Sequence, residues 1–166
     1  MIRAEFEPYE GNDPFVFISY AHKNHDDVIP ILEKLNEAGF RVWYDDGIEV
    51  GSEWPEDIAE RLGFSKMMIA FISNAYAASH NCRKEMHYAV SNGIKTVNVF
   101  LEDADITPGM SLQIGNIFAL MKYRMEENEF YDRLYQALQM PEAPAPSEKR
   151  AEADGKAARK AAKAGG

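Results

Sequence analysis

The sequence predicts an α/β protein, a flavodoxin-like three-layer sandwich around a five-stranded parallel sheet in the order 2-1-3-4-5. Three observations predict it. Short, largely apolar runs recur at 15–19, 40–44, 67–72, 96–101 and near 117–122, and runs without alternation belong to strands buried on both faces. Between them lie segments with apolar residues at helical spacing. The repeat is roughly 25 residues, room for a strand and the helix that crosses to the next parallel strand.

Each element has its own justification. Strand one is about 15–19, inside the run 14–20 (Pro-Phe-Val-Phe-Ile-Ser-Tyr). The first helix carries Val28, Ile31, Leu32 and Leu35 at i, i+3, i+4 and i+7, an amphipathic stripe. Asp26 is its expected cap, which places Pro30 among the first four positions, where an amide hydrogen has no helical partner. Gly39 ends it. Strand two is about 40–44, and a polar loop from Asp45 to Trp54 leads to a helix at about 55–63 with Ile58 and Leu62 inward. Strand three is 67–72. A helix at about 81–92 is expected to bury Cys82, Met86, Ala89 and Val90, with Gly93 closing it. Strand four is 96–101. The segment 104–116, with Pro108-Gly109, reads as a long loop. A short fifth strand near 117–122 and a helix at about 128–139, with Phe130, Leu134 and Leu138 inward, complete the set.

Residues 1–13 read as a loose leader, 14–139 as the domain, and 140–166 as a disordered tail or linker, rich in Pro, Ala, Lys and Glu without an apolar stripe. The tail carries a net charge of +2, which leaves -11 on the remainder of a chain whose total is -9. An acidic surface repels phosphate backbones and anionic lipid, so neither nucleic acid nor a membrane is an expected partner. No apolar stretch approaches the roughly 20 residues that span a bilayer. Cys82 is the only cysteine, which excludes an intrachain disulfide and points to a reducing compartment; the chain reads as cytoplasmic.

In open parallel sheets the ligand crevice lies outside the carboxyl ends of the strands, at the point where strand order reverses. The order 2-1-3-4-5 puts that point between strands one and three. The loops after Ser19 and Ser73 flank it, and the 45–54 loop overhangs it. Asp45 and Asp46 are placed to bind ribose or a cation, or to be solvated loop carboxylates. Trp43, inside strand two, reads as core. Trp54, at the loop–helix hinge, either staples the loop or lines the pocket. His22, His25, His80, Cys82 and His87 have no spacing that completes a tetrahedral metal site, so no metal is expected. Glu85 is expected to bond backbone or to pair with a nearby base.

Several runs carry a resemblance. Phe17-Ile-Ser-Tyr20 resembles the first box of TIR (Toll/interleukin-1 receptor) domains. Val42-Trp-Tyr-Asp45, then Gly51-x-x-Trp54 leading to Ile58 and Leu62, resembles their second strand, BB loop and second helix. Phe71-Ile-Ser73, then Tyr76-x-x-Ser79-x-x-Cys82-x-x-Glu85, resembles the third strand and the segment after it. The likeness is close over 14–101, looser over 104–139, and in the style of bacterial TIR proteins. Val50 stands where the loop usually has Pro, Asn81 where Trp is usual, Met86 where Leu is usual, and the Phe-Trp third box of animal receptors is absent. These departures weigh against animal receptor-adaptor signalling.

The resemblance implies one of two roles: a self-associating signalling module, or an enzyme that cleaves the nicotinamide–ribose bond of NAD in bacterial defence. For the enzyme it implies one essential glutamate, matched to Glu56, with Asp57 and Glu60 as alternative registers. Ser19, Tyr20, Asp45, Trp54 and Ser73, at the strand ends and the overhanging loop, are the candidate substrate-binding residues. The resemblance implies NAD as substrate rather than cofactor, and activation by TIR–TIR self-association, in which neighbouring copies complete the pocket. A carboxylate suits this chemistry. Nicotinamide leaves as a neutral base, so no general acid is needed, and the oxocarbenium-like ribosyl centre is what must be stabilised. Equally, an acid in a helix's first turn is ordinary dipole compensation. Products are nicotinamide with either ADP-ribose or a cyclic isomer. A non-catalytic homotypic module, and a sensor that binds a nucleotide without cleaving it, are the other expectations.

Overall fold

Five parallel strands form one sheet in the order β2-β1-β3-β4-β5, where β1 is Val16–Tyr20, β2 Val42–Tyr44, β3 Met67–Ile72, β4 Lys95–Phe100 and β5 Phe118–Met121. This is the flavodoxin-like arrangement the apolar runs predict, seen in a computed structural model. The structure describes residues 6, 8, 9, 11, 13–44, 56–106, 108–114 and 118–139; the side chains of 56–59, 112–114 and 118 lie outside that description. Among the described residues six α-helices accompany the strands, five between them and one after the last: α1 His25–Glu37, α2 Glu56–Phe64, α3 Asn74–Ala78, α4 His80–Ser91, α5 Pro108–Ile114 and α6 Glu127–Gln139.

The pleat divides the core in two. Val16, Ile18, Val42, Met67, Ile69, Phe71, Val97 and Val99 point to one face and pack with Val28, Leu32 and Leu35 of α1 and Phe130 and Leu134 of α6. Phe17, Trp43, Met68, Ala70 and Ile72 point to the other, with Leu62 of α2, Tyr76 of α3, and Cys82, Met86 and Ala89 of α4. Trp43 is core, as its place in strand two implies: it is 8% exposed and stacks on Phe17 with ring centroids 5.0 Å apart. Beside β2, the Tyr9 amide donates to the Val42 carbonyl at 2.8 Å, and the Phe6 ring meets Tyr44 edge-on at 5.5 Å. The chain before the first strand therefore lies against the sheet at these residues.

Several local expectations change. A 3-10 turn at His22–Asn24 runs straight into α1, so the helix starts before Asp26 and Pro30 lies inside it. Asp26 is a first-turn acid, not the cap. The capping position is held by Asn24, whose side-chain oxygen instead accepts from the Ser73 hydroxyl at 2.6 Å. The single helix expected near 81–92 is preceded by a short one, α3, because Ser73 and Ser79 each cap a new start: Ser73 Oγ accepts from the Tyr76 amide and Ser79 Oγ from the Cys82 amide. Val90 is 39% exposed rather than inward, since eight residues after Cys82 the helix has turned about 80° past the buried line that Met86 and Ala89 follow. The 104–116 segment contains a helix, α5, whose first residue is Pro108; proline suits that position because its missing N–H would be unpaired anyway. Gly39 and Gly93 end α1 and α4 with φ of +96° and +69°, the left-handed cap that glycine adopts at least cost.

Candidate active site at the carboxyl ends of the strands

Ser19 and Tyr20 are neighbours in sequence, but the pleat sends them to opposite faces. Tyr20 packs on the α1 side, with its hydroxyl 3.4 Å from Nδ1 of the buried His25. Ser19 faces α4 and is fully buried. Its hydroxyl donates to Oε1 of Glu85 at 2.6 Å and lies 2.8 Å from the Tyr76 hydroxyl. A serine hydroxyl has one hydrogen, and here it is committed to the carboxylate; the phenol of Tyr76 is therefore the donor to Ser19. Tyr76 is fixed at its other end too, through its amide to Ser73 Oγ at 3.0 Å. The ends of β1 and β3 are thus tied together through one buried tyrosine, and the chain of donors terminates on Glu85.

Glu85 is 7% exposed and is the one buried carboxylate among the described side chains. It lies on the inward stripe of α4 with Cys82, Met86 and Ala89. Burial, and then the nearby Cys82 and Glu85, hold the Tyr76 phenol well above its ordinary pKa of 10.0. Burial, and then Glu85, push the Cys82 thiol up to about 12. Cys82 is accordingly an unreactive core thiol, not a nucleophile. A buried carboxylate at the reversal point of strand order, beside a phenol and a thiol held in their neutral forms, can stabilise positive charge on a bound group.

Of the predicted site residues, Ser19 and Ser73 meet through Tyr76, while Tyr20 lies on the opposite face. Ser19 and Ser73 are both fully buried, their hydroxyls engaged by Glu85, Tyr76 and Asn24. Tyr20 is half-buried on the other face. Asp45, Asp46 and Trp54 lie outside the described residues. Glu56 is the first residue of α2, and its side chain is likewise outside them. Among the described residues no three His, Cys, Asp or Glu converge on a possible cation position. No described helix is long and apolar enough to cross a membrane. On the outward side of α4, His80, Arg83, Lys84, His87 and Tyr88 line a groove of about 570 Å³.

A sequence model of the TIR domain matches residues 16–138. The chain belongs to the TIR-domain family. The crystal structure of the TIR domain of the Toll-related receptor TRR-2, from the lower metazoan Hydra magnipapillata, is similar in fold: 17% identity, TM-score 0.61, over 75% of this chain and 98% of that one. No curated protein matches the chain. Membership makes this TIR domain a signalling or TIR–TIR interaction module. Glu85, read from the sequence as bonding backbone or pairing with a base, accepts the Ser19 hydroxyl in the structure. It ends the Tyr76-x-x-Ser79-x-x-Cys82-x-x-Glu85 run that carries the family likeness, and a readable signal was present. With Ser79 as cap, Cys82, Glu85, Met86 and Ala89 share one helix face, so the pattern itself drives a glutamate into the core.

Proposed function

We propose that this TIR domain cleaves the nicotinamide–ribose bond of NAD, with Glu85 as the essential carboxylate and homotypic assembly as the activating event. The observation that carries the reading is the buried Glu85 carboxylate at the carboxyl end of β1. As nicotinamide departs, positive charge develops on the ribosyl carbon. A carboxylate shielded from water stabilises that charge far better than a solvated one, and one such interaction supplies about 10²- to 10³-fold in rate. Glu56, at the start of α2, is the competing bearer of this role, on the family likeness alone.

Nicotinamide release by the full chain, free and on a clustering scaffold, tests the proposal. Glu85→Gln keeps size and hydrogen bonding but removes charge; it should lower release by about 10²- to 10³-fold with the fold intact by circular dichroism. Loss confined to Glu56→Gln would move the role to α2. A second reading, an interaction module without turnover, is favoured by the groove on α4, where four basic or titratable bases stand on a chain of net charge -9. Unchanged NAD in the presence of assembled wild-type protein would select it.

A further inference from the structure

The contact between β1 and α4 has a direction. Ser19 is fully buried, its hydroxyl hydrogen is spent on Glu85 Oε1 at 2.6 Å, and its oxygen receives the Tyr76 phenol at 2.8 Å. Tyr76 is itself buried and pinned through its backbone at Ser73. Rotating Ser19 would break both of its buried hydrogen bonds, so the strand takes part in setting the orientation of the carboxylate. A hydrogen bond donated to a carboxylate also favours its ionised form. We propose that Ser19 is a positioning residue for Glu85, holding the carboxylate ionised and in a fixed orientation, with Tyr76 as the group that fixes Ser19. The inference rests on the reading of Glu85 as the carboxylate of the NAD-cleaving site.

Tyr76 on α3 and Cys82 on α4 are both coupled to Glu85, and both titrate well above neutrality. The test has two arms on the full chain. In the first, the Glu85 carboxyl is titrated by carbon NMR on glutamate-labelled protein, with Glu85→Gln identifying the resonance. Ser19→Ala should raise the midpoint by about one to two pH units, the size expected for one hydrogen bond to a charged group, and Ser19→Thr, which keeps a hydroxyl, should restore it. Tyr76→Phe should move it in the same direction by less, and serves if Ser19→Ala does not fold. In the second arm, the acid limb of nicotinamide release should shift upward by the same amount, with kcat about tenfold lower at a pH below the new midpoint and KM little changed. An unmoved midpoint in folded Ser19→Ala overturns the positioning role, whatever the activity. A shifted midpoint with no release from any form, wild type included, upholds the hold of Ser19 on Glu85 and removes NAD cleavage as its purpose.

Discussion

The two faces of the sheet are built from the same five strands and differ in what they contain. The face under α1 and α6 is largely apolar, with Val16, Ile18, Met67, Ile69, Phe71, Val97 and Val99 packed on aliphatic and aromatic residues of both helices and His25 as its buried polar side chain at the start of α1. The face under α4 interrupts its apolar layer with Ser19, Glu85 and Asn98, all buried. One face supplies cohesion and the other gives part of it up. Buried polar groups cost free energy unless paired, so a face that carries them at the strand ends is where something other than stability has been selected. The difference teaches where to look: the buried polar groups at the strand ends on the α4 side are where the proposed function can be tested.

Large-to-small substitutions break the comparison most directly. Phe71→Ala, on the apolar face and fully buried, should cost about 3 to 5 kcal/mol of unfolding free energy in urea, from lost transfer energy and the cavity left behind. Ser19→Ala, an alteration of comparable depth on the opposite pleat, should cost distinctly less, about 1 to 3 kcal/mol, the penalty of leaving partners unpaired. Equal losses would mean that the two faces contribute alike.

The alkaline limb of stability comes next in size. Cys82 has an ordinary pKa of 9.0 and is held at about 12 in the folded state by burial and then by Glu85. A raised folded pKa means that the folded chain binds the proton more tightly. The associated stability is fully present below pH 9 and is lost as pH rises toward 12, at about 1 kcal/mol per pH unit. The urea midpoint of the wild type should therefore fall between pH 9 and 12 more steeply than that of Cys82→Ala. Parallel slopes would show that the thiol is not held neutral by the polar layer.

How much of this was legible in the sequence follows from which forces act locally. Strand order, the α1 and α6 stripes and the Gly39 and Gly93 stops depend on periodicity and backbone preference, and the predicted fold class matches the observed sheet. Helix α5 was hidden because Pro108 marks a turn and a first helical position equally well. Helix α3 was hidden because five residues are too few to show a period. The site was harder. Ser19 was placed correctly at the end of β1, yet its partners are 57 and 66 residues away: the pairing of β3 with β1 and the turn into α3 bring Tyr76 to it, and the crossing of α4 over β1 brings Glu85. The resemblance points to Glu56 in the first turn of α2, whose side chain lies outside the described residues, while the acid on the buried stripe of α4 is the carboxylate the structure places in the core.

The smallest expected effect gives the sharpest test of the two faces. Asn98 shares the register row of Ser19, with Ala70 between them and Ala119 beyond. It is fully buried, and neither its amide nitrogen nor its amide oxygen has a hydrogen-bond partner among the described residues. Each unpaired atom costs about 1 to 3 kcal/mol, and the cavity left by truncation to alanine offsets part of what its removal regains. Asn98→Ala should leave the urea midpoint unchanged or raise stability by about 1 kcal/mol, at an unchanged denaturant slope. Ile69→Ala, on the adjacent strand and the opposite pleat, should lose about 2 to 5 kcal/mol in the same measurement. A loss above about 2 kcal/mol for Asn98→Ala would mean that the amide makes hydrogen bonds in solution. The polar layer would then extend across three strands as a cohesive network, and its cost to the fold could not be what distinguishes the α4 face.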